Sequence, residues 1–132
     1  MRFPFIKIFG SQPVNIPEAV KDGLISFFPE AKNTDWEHKK NIYEALFYLN
    51  DVEHIARFTD GGELVEYKKN IWVNELPMMI ADQCNKEGEI MNIIAIYKGN
   101  DQFFEVIIRD KRLKRKLLLF NQSAELISLH KL

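Results

Sequence analysis

The phrase Phe58-Thr59-Asp60-Gly61-Gly62-Glu63-Leu64 constrains the fold more than any other stretch of the chain. Two glycines behind an aspartate supply the positive backbone angles of a short hairpin loop, so the phrase reads as strand, tight turn, strand. The same order returns near the C-terminus as Phe120-Asn121-Gln122-Ser123-Ala124-Glu125-Leu126, sixty-two residues on. In both, Phe, a polar pair, two small residues, Glu and Leu follow one another. An order that recurs at such a distance predicts two copies of one supersecondary unit.

The segments between the two phrases fit that expectation. Asn15-Ile16-Pro17-Glu18 predicts a helix start, with Asn15 as cap, Pro17 in the first turn and Glu18 near the positive helix end. Val20, Leu24, Phe27 and Phe28 then fall on one apolar stripe, and Pro29 stops the helix. Four strand-length segments follow, over 34–39, 43–49, 52–59 and 63–70, rich in aromatic and β-branched residues. Leu76-Pro77 repeats Ile16-Pro17 sixty residues later, setting Ile80 opposite Val20 and Cys84 opposite Leu24. This second helix is expected to be shorter, over 77–85, with strands at 89–98, 102–109, 113–121 and 124–131. The fold class is therefore α+β: a tandem duplication of a helix plus a four-stranded antiparallel meander, the helices on one sheet face. Residues 1–14 form an arm and hinge, 15–73 the first unit and 74–132 the second, in one compact domain.

Composition narrows the class of function. With 46% apolar and 28% charged residues the chain is an ordinary folding sequence, and its net charge of −1 offers no global attraction for nucleic acid or anionic membrane. A single cysteine, Cys84, allows no internal disulfide. No apolar run approaches the roughly 20 residues of a bilayer span. The apolar start of the chain is broken by Pro4 and Lys7, so it reads as an arm or first strand rather than a secretory leader, which places the chain in the cytoplasm.

The strand pattern has two sides. Tyr43, Ala45, Phe47, Leu49, Ala56 and Phe58 form the face under the first helix; Phe104, Val106, Ile108, Leu118 and Phe120 repeat it under the second. Period two then sends Leu46, Tyr48, Ile55, Phe103, Ile107, Leu117 and Leu119 to the opposite face. A solvated face would be polar. An apolar one is covered by the arm or a symmetry mate, buried by strand curvature, or built to bind. Lys111, Arg112, Lys114, Arg115 and Lys116 form a basic hairpin, either a rim for an acidic partner or an edge guarded by lysines. The matching hairpin of the first unit, Asn50-Asp51-Val52-Glu53, is acidic. Nucleic acid is not expected, because the basic residues occupy one hairpin rather than a broad face with stacking aromatics.

Catalytic and metal chemistry find little footing. His38, His54 and His130 fall on separate strands, and Asp51-x-Glu53-His54 lacks metal-ligand spacing, so it reads as a solvated turn beside a strand histidine. Cys84 sits on the helix stripe and reads as core. Asp35, Glu37 and Glu44 could face one another across strands, but no spacing marks them as an acid–base pair. Gly61-Gly62 lies in a hairpin, not between strand and helix, so no phosphate loop is present. No cofactor is expected, and the chain does not read as an enzyme.

One family resemblance follows from these residues. The run Pro17, Phe28-Pro29-Glu30-Ala31, Trp36, Tyr43, Phe47, Phe58 to Leu64 and Leu76-Pro77 resembles the PepSY-like family, also called β-lactamase-inhibitor-protein-like (BLIP-like). It spans residue 16 to the C-terminus. The resemblance implies tandem helix-on-sheet units, an inhibitor-like protein-binding role and export to the periplasm. The sequence departs from it in lacking an export leader and any internal disulfide, and no inhibitory contact residue can be matched. The expected function is thus binding of a protein or peptide on the open sheet face, with the basic hairpin as its rim and self-association as a further expectation. The alternative is a carrier holding a small apolar ligand in a curved-sheet cup.

Overall fold

A computed structural model describes residues 15–132; the expected arm and hinge lie outside the described residues. These residues divide into two compact units between Lys69 and Asn70. The first holds α1 (Glu18–Phe27), β1 (Lys32–Lys39), β2 (Ile42–Leu49), β3 (Val52–Thr59) and β4 (Leu64–Asn70), whose last residue falls across the division. The second holds a 3-10 turn (Val73–Glu75), α2 (Met78–Glu87), β5 (Glu89–Lys98), β6 (Asp101–Arg109), β7 (Arg115–Asn121) and β8 (Leu126–Lys131). Within each unit consecutive strands pair antiparallel.

Both helices begin on a proline. The Pro17 carbonyl accepts from the Val20 and Lys21 amides at 3.1 Å each, and the Pro77 carbonyl from the Ile80 and Ala81 amides at 3.0 Å each. No side chain caps either start. Asn15 therefore does not cap α1: the helix boundary falls two residues beyond it, because Pro17 is itself the residue at the boundary. Nor is α2 the shorter helix. Both have ten residues, since α2 continues to Glu87 and ends where the Gly88 amide bonds the Cys84 carbonyl.

The cores match the sheet faces expected under the helices. In the first unit Val20 and Leu24 of α1 pack on Tyr43, Ala45, Phe47, Ala56 and Phe58. In the second, Ile80 and Cys84 of α2 pack on Ile93, Ala95, Phe104, Val106, Ile108, Leu118 and Phe120. The register behind this follows from turn chemistry. Asn50 and Asp51 both adopt left-handed angles, φ 52° and 63°, forming the two-residue loop that sets Leu49 opposite Val52 and hence Ala45 opposite Ala56.

The recurring phrase forms a three-residue loop in both units. At the first, the Thr59 amide bonds the Glu63 carbonyl (2.9 Å) and the Gly62 amide the Thr59 carbonyl (3.0 Å). At the second, Asn121 and Glu125 repeat the first bond (3.0 Å), and Ala124 and Asn121 the second (3.1 Å). A third loop, Asp110 to Lys114, has the same pattern. Its closing residue Leu113 and its counterpart Ala124 are both left-handed at φ 64°. That explains why β7 and β8 start at Arg115 and Leu126, two residues later than the apolar pattern predicts: a left-handed residue ends the extended run.

The two loops of the recurring phrase also receive the helices of their units. A Cβ on Gly23 of α1 would stand 2.5 Å from the Gly62 carbonyl oxygen, and one on Gly62 would stand 2.1 Å from that of Ala19. Only glycine permits this backbone-to-backbone approach. In the second unit Gln83, sixty positions after Gly23, bridges the wider gap by donating from Nε2 to the Ala124 carbonyl at 2.9 Å.

Candidate functional site

The sheet surface turned away from the helices was the expected site, and the two units build it differently. In the first unit the register lines up Glu37, Glu44, Arg57 and Glu66 across all four strands. Arg57 Nε lies 3.2 Å from Glu44 Oε1, and its Nη1 lies 3.4 Å from Glu66 Oε1. Lys68 Nζ approaches Glu66 at 3.8 Å. The next row is Asp35, Leu46, Ile55 and Lys68. The outward face here is thus not mostly apolar: Leu46 and Ile55 are islands beside a charge ladder. Carboxylates on either side of one guanidinium form an ion-pair ladder, in which Glu44 and Glu66 are buried.

In the second unit the same face is richer in apolar residues, although Asn92, Glu105 and Asn121 stand on it too. Ile96 pairs with Phe103, Ile107 with Leu117, and Ile94 with Leu119 through Glu105 between them. The row ends at Arg109 opposite Arg115, the base of the basic hairpin. Of the expected binding residues, Ile55 and Ile107 are buried, Leu46, Phe103, Leu117 and Leu119 half-buried, and Tyr48 is 53% exposed. Lys111, Arg112, Lys114 and Arg115 are exposed and Lys116 half-buried. The Tyr48 hydroxyl donates to Glu53 at 2.7 Å; that bond, with burial and the neighbouring charges of Glu53 and Asp35, pushes the phenol up to about 12. Asp110 shapes the hairpin by accepting from the Lys114 and Arg112 amides (3.0 and 2.9 Å). Chiefly the bond from Lys114 holds its carboxyl below the usual range.

Residues considered for chemistry do not converge. His54 stands opposite Phe47 on the helix side of β3, whereas its neighbour Glu53 points to the other side, at Tyr48. The ring stacks between Phe47 and Tyr67 and shares a 2.6 Å hydrogen bond with the Tyr67 hydroxyl. Burial, then the charge of Lys69, lowers it to about 4, so it is neutral near pH 7. Cys84 is fully buried, and burial, then Glu87, pushes its thiol up to about 11. Glu37 and Glu44 do face each other, but Lys39 and Arg57 engage them. Among the described residues no group of three His, Cys, Asp or Glu could hold a metal ion, and no helix is long and apolar enough to cross a membrane. Two clefts, of about 150 and 170 Å³, lie beside Trp72 and between α2 and β8.

Sequence reasoning missed several exposed apolar side chains. Trp72, Val73, Met78 and Met79 are 55%, 55%, 77% and 68% exposed. Met78 and Met79 were legible from helical phase, because a stripe through Ile80 and Cys84 leaves them outside it.

No family model and no curated protein matches the chain. Solved structures do. A putative periplasmic protein from Bacteroides eggerthii is similar at 18% identity with a TM-score of 0.79, covering 89% of this chain and 90% of that one. A DUF2874 family protein from Bacteroides uniformis is similar at 19% identity and TM-score 0.76, over 87% and 88%. A BLIP-like protein from Bacteroides fragilis is similar at 17% identity and TM-score 0.74, over 91% and 89%. The likeness shows a BLIP-like α+β fold, and these neighbours indicate no catalytic family.

Proposed function

We propose that the chain is a non-enzymatic module that binds a protein or peptide on the outward sheet surface of its second unit. The observation that carries the reading is the apolar cluster of Ile94, Phe103, Leu117 and Leu119 around Glu105, with Arg115 of the basic hairpin next along β7 from Leu117 on the same face. An apolar centre with a charged rim is the usual anatomy of an interface. In this reading Lys111, Arg112, Lys114, Arg115 and Lys116 meet acidic residues of the partner, and Tyr48 with Leu46, Ile55 and Ile107 support the surface. The kinship is PepSY-like, and the chain arose by doubling of one helix-and-meander unit. The shared loop geometry and equal helix lengths support that origin. The inhibitor-like role follows the printed name of one fold neighbour. The apolar-carrier alternative draws no support from the two clefts, which fall below the roughly 300 Å³ of small-molecule sites.

The test is capture from a lysate of the source organism with Leu119→Glu and Lys114→Glu/Arg115→Glu variants beside the unaltered chain. Loss of the same captured protein in both, with folding retained by circular dichroism, supports the reading. Undiminished capture by both ends it.

A further inference from the structure

We propose that the cleft between α2 and β8 takes one aromatic side chain of a partner peptide, and that acidic residues flanking that ring meet Lys116 and Lys131. The site lies on the helix side of the sheet. It goes beyond the outward-face reading and does not depend on it.

The two units fill the space beside their helices differently. In the first, Phe28 follows the end of α1, and its ring lies 5.0 Å from that of Phe47 and 4.8 Å from that of Tyr67 on β4. Two rings thus close the gap between the helix end and the fourth strand. The matching positions of the second unit, sixty and sixty-two residues on, are Gly88 and Leu129. Gly88 brings no side chain and Leu129 no ring. Leu129 and its neighbour Leu126 stay 42% and 47% exposed, and a cleft of about 170 Å³ opens between them and α2.

Size and lining fit one ring. The floor is the buried pair Leu118 and Phe120, one wall is Leu126 and Leu129, and the other includes the apolar stems of Lys86 and Glu87. An apolar cavity of about 150 Å³ holds a single benzene. The chain itself supplies the precedent for the occupant, because the same place in the first unit holds a phenylalanine ring. β8 pairs on one side only, with β7, so no described strand closes the slot along that edge and a peptide can continue past the ring.

Charge selects the peptide. The register sets Lys116 opposite Lys131, one step along from Leu118 and Leu129 and on the same face. Like charges directly opposite are unfavourable. Among the described residues neither lysine has a carboxylate within salt-bridge distance. With Lys86, three cations flank the slot against the one carboxylate of Glu87. An acidic residue beside the bound ring offsets that excess.

Methyl NMR of the full chain, titrated at low salt with acetyl-Asp-Phe-Asp-amide, tests the proposal. The methyls of Leu118, Leu126 and Leu129 should shift and saturate with a Kd of about 1–10 mM, the range open to one buried side chain with two surface ion pairs. Acetyl-Asp-Ala-Asp-amide should leave them unmoved, and acetyl-Lys-Phe-Lys-amide should bind about tenfold more weakly. Lys131→Glu should weaken the acidic peptide about threefold or more. Leu129→Tyr supplies from within the ring that Tyr67 gives the first unit, and should abolish the shifts. If that variant misfolds, the three peptides and the exposed Lys131→Glu decide alone. Methyls that stay unmoved up to about 20 mM, equal shifts with the alanine peptide, or shifts confined to the outward Leu117 and Leu119 overturn the proposal. So does a folded Leu129→Tyr chain that binds as before.

Discussion

Replacing Gly23 by alanine should destabilise the chain, against the ordinary rule for helices. Gly23 lies inside α1, where glycine to alanine normally gains about 1 kcal/mol. Here the new Cβ would stand 2.5 Å from the Gly62 carbonyl oxygen. That is about 0.8 Å short of the roughly 3.3 Å at which carbon and carbonyl oxygen rest. The obstacle is backbone held by the 3.0 Å Gly62-to-Thr59 bond, so it cannot swing aside as a side chain would. The helix must retreat, and Val20 and Leu24 lift from the core with it. Overpacking against an unyielding partner costs up to about 3 kcal/mol, so the net loss is about 1–2 kcal/mol after the helix gain. For a chain of this length that lowers Tm by roughly 3–10 °C. Calorimetry beside a Gly61→Ala control is the assay, because a Cβ there meets only Thr59 Oγ1 at 3.8 Å. A Gly23→Ala chain that melts at or above the unaltered one would refute the docking of α1 on the loop.

Other expectations follow from single side chains. His54 falls from its ordinary 6.5 to about 4 in the folded state. The unfolded chain therefore binds the proton first: the stability is complete above about pH 6.5 and is lost as pH drops toward 4. The ceiling is about 3 kcal/mol, and urea unfolding of a His54→Gln variant should lack this part of the pH dependence; parallel curves would contradict it. Leu113→Gly relieves a left-handed leucine (φ 64°) on an exposed loop, so denaturant unfolding should show a gain of about 1 kcal/mol, and a loss would count against that loop geometry. Cys84, fully buried with its thiol at about 11, should react with a thiol reagent only as fast as the chain opens; rapid labelling of the native protein would show another environment.

Much of the fold could be read from residue order because local chemistry fixes it. Asn50-Asp51 is a two-residue loop that admits one register, and that register dictates which of Tyr43, Ala45 and Phe47 face the helix. The same register would also have revealed the Glu44–Arg57–Glu66 ladder, yet apolar alternation drew attention to Leu46 and Ile55 beside it. Leu113 and Ala124 escaped because nothing about leucine or alanine announces a left-handed angle; the loop hydrogen bonds impose it. The start of α1 was misplaced for a related reason: Asn15 has the right side chain, but Pro17 decides where helical angles begin. The candidate surface was legible only as a parity, since period two assigns a face but not how far each side chain is exposed.

The most direct test of a binding role compares capture by the unaltered chain, by Leu119→Glu in the apolar cluster and by Met79→Glu. Met79 is 68% exposed on the outer side of α2 and so controls for added charge alone. The binding account predicts that one and the same protein is retained by the first and third and lost from the second. Equal capture by all three would contradict it.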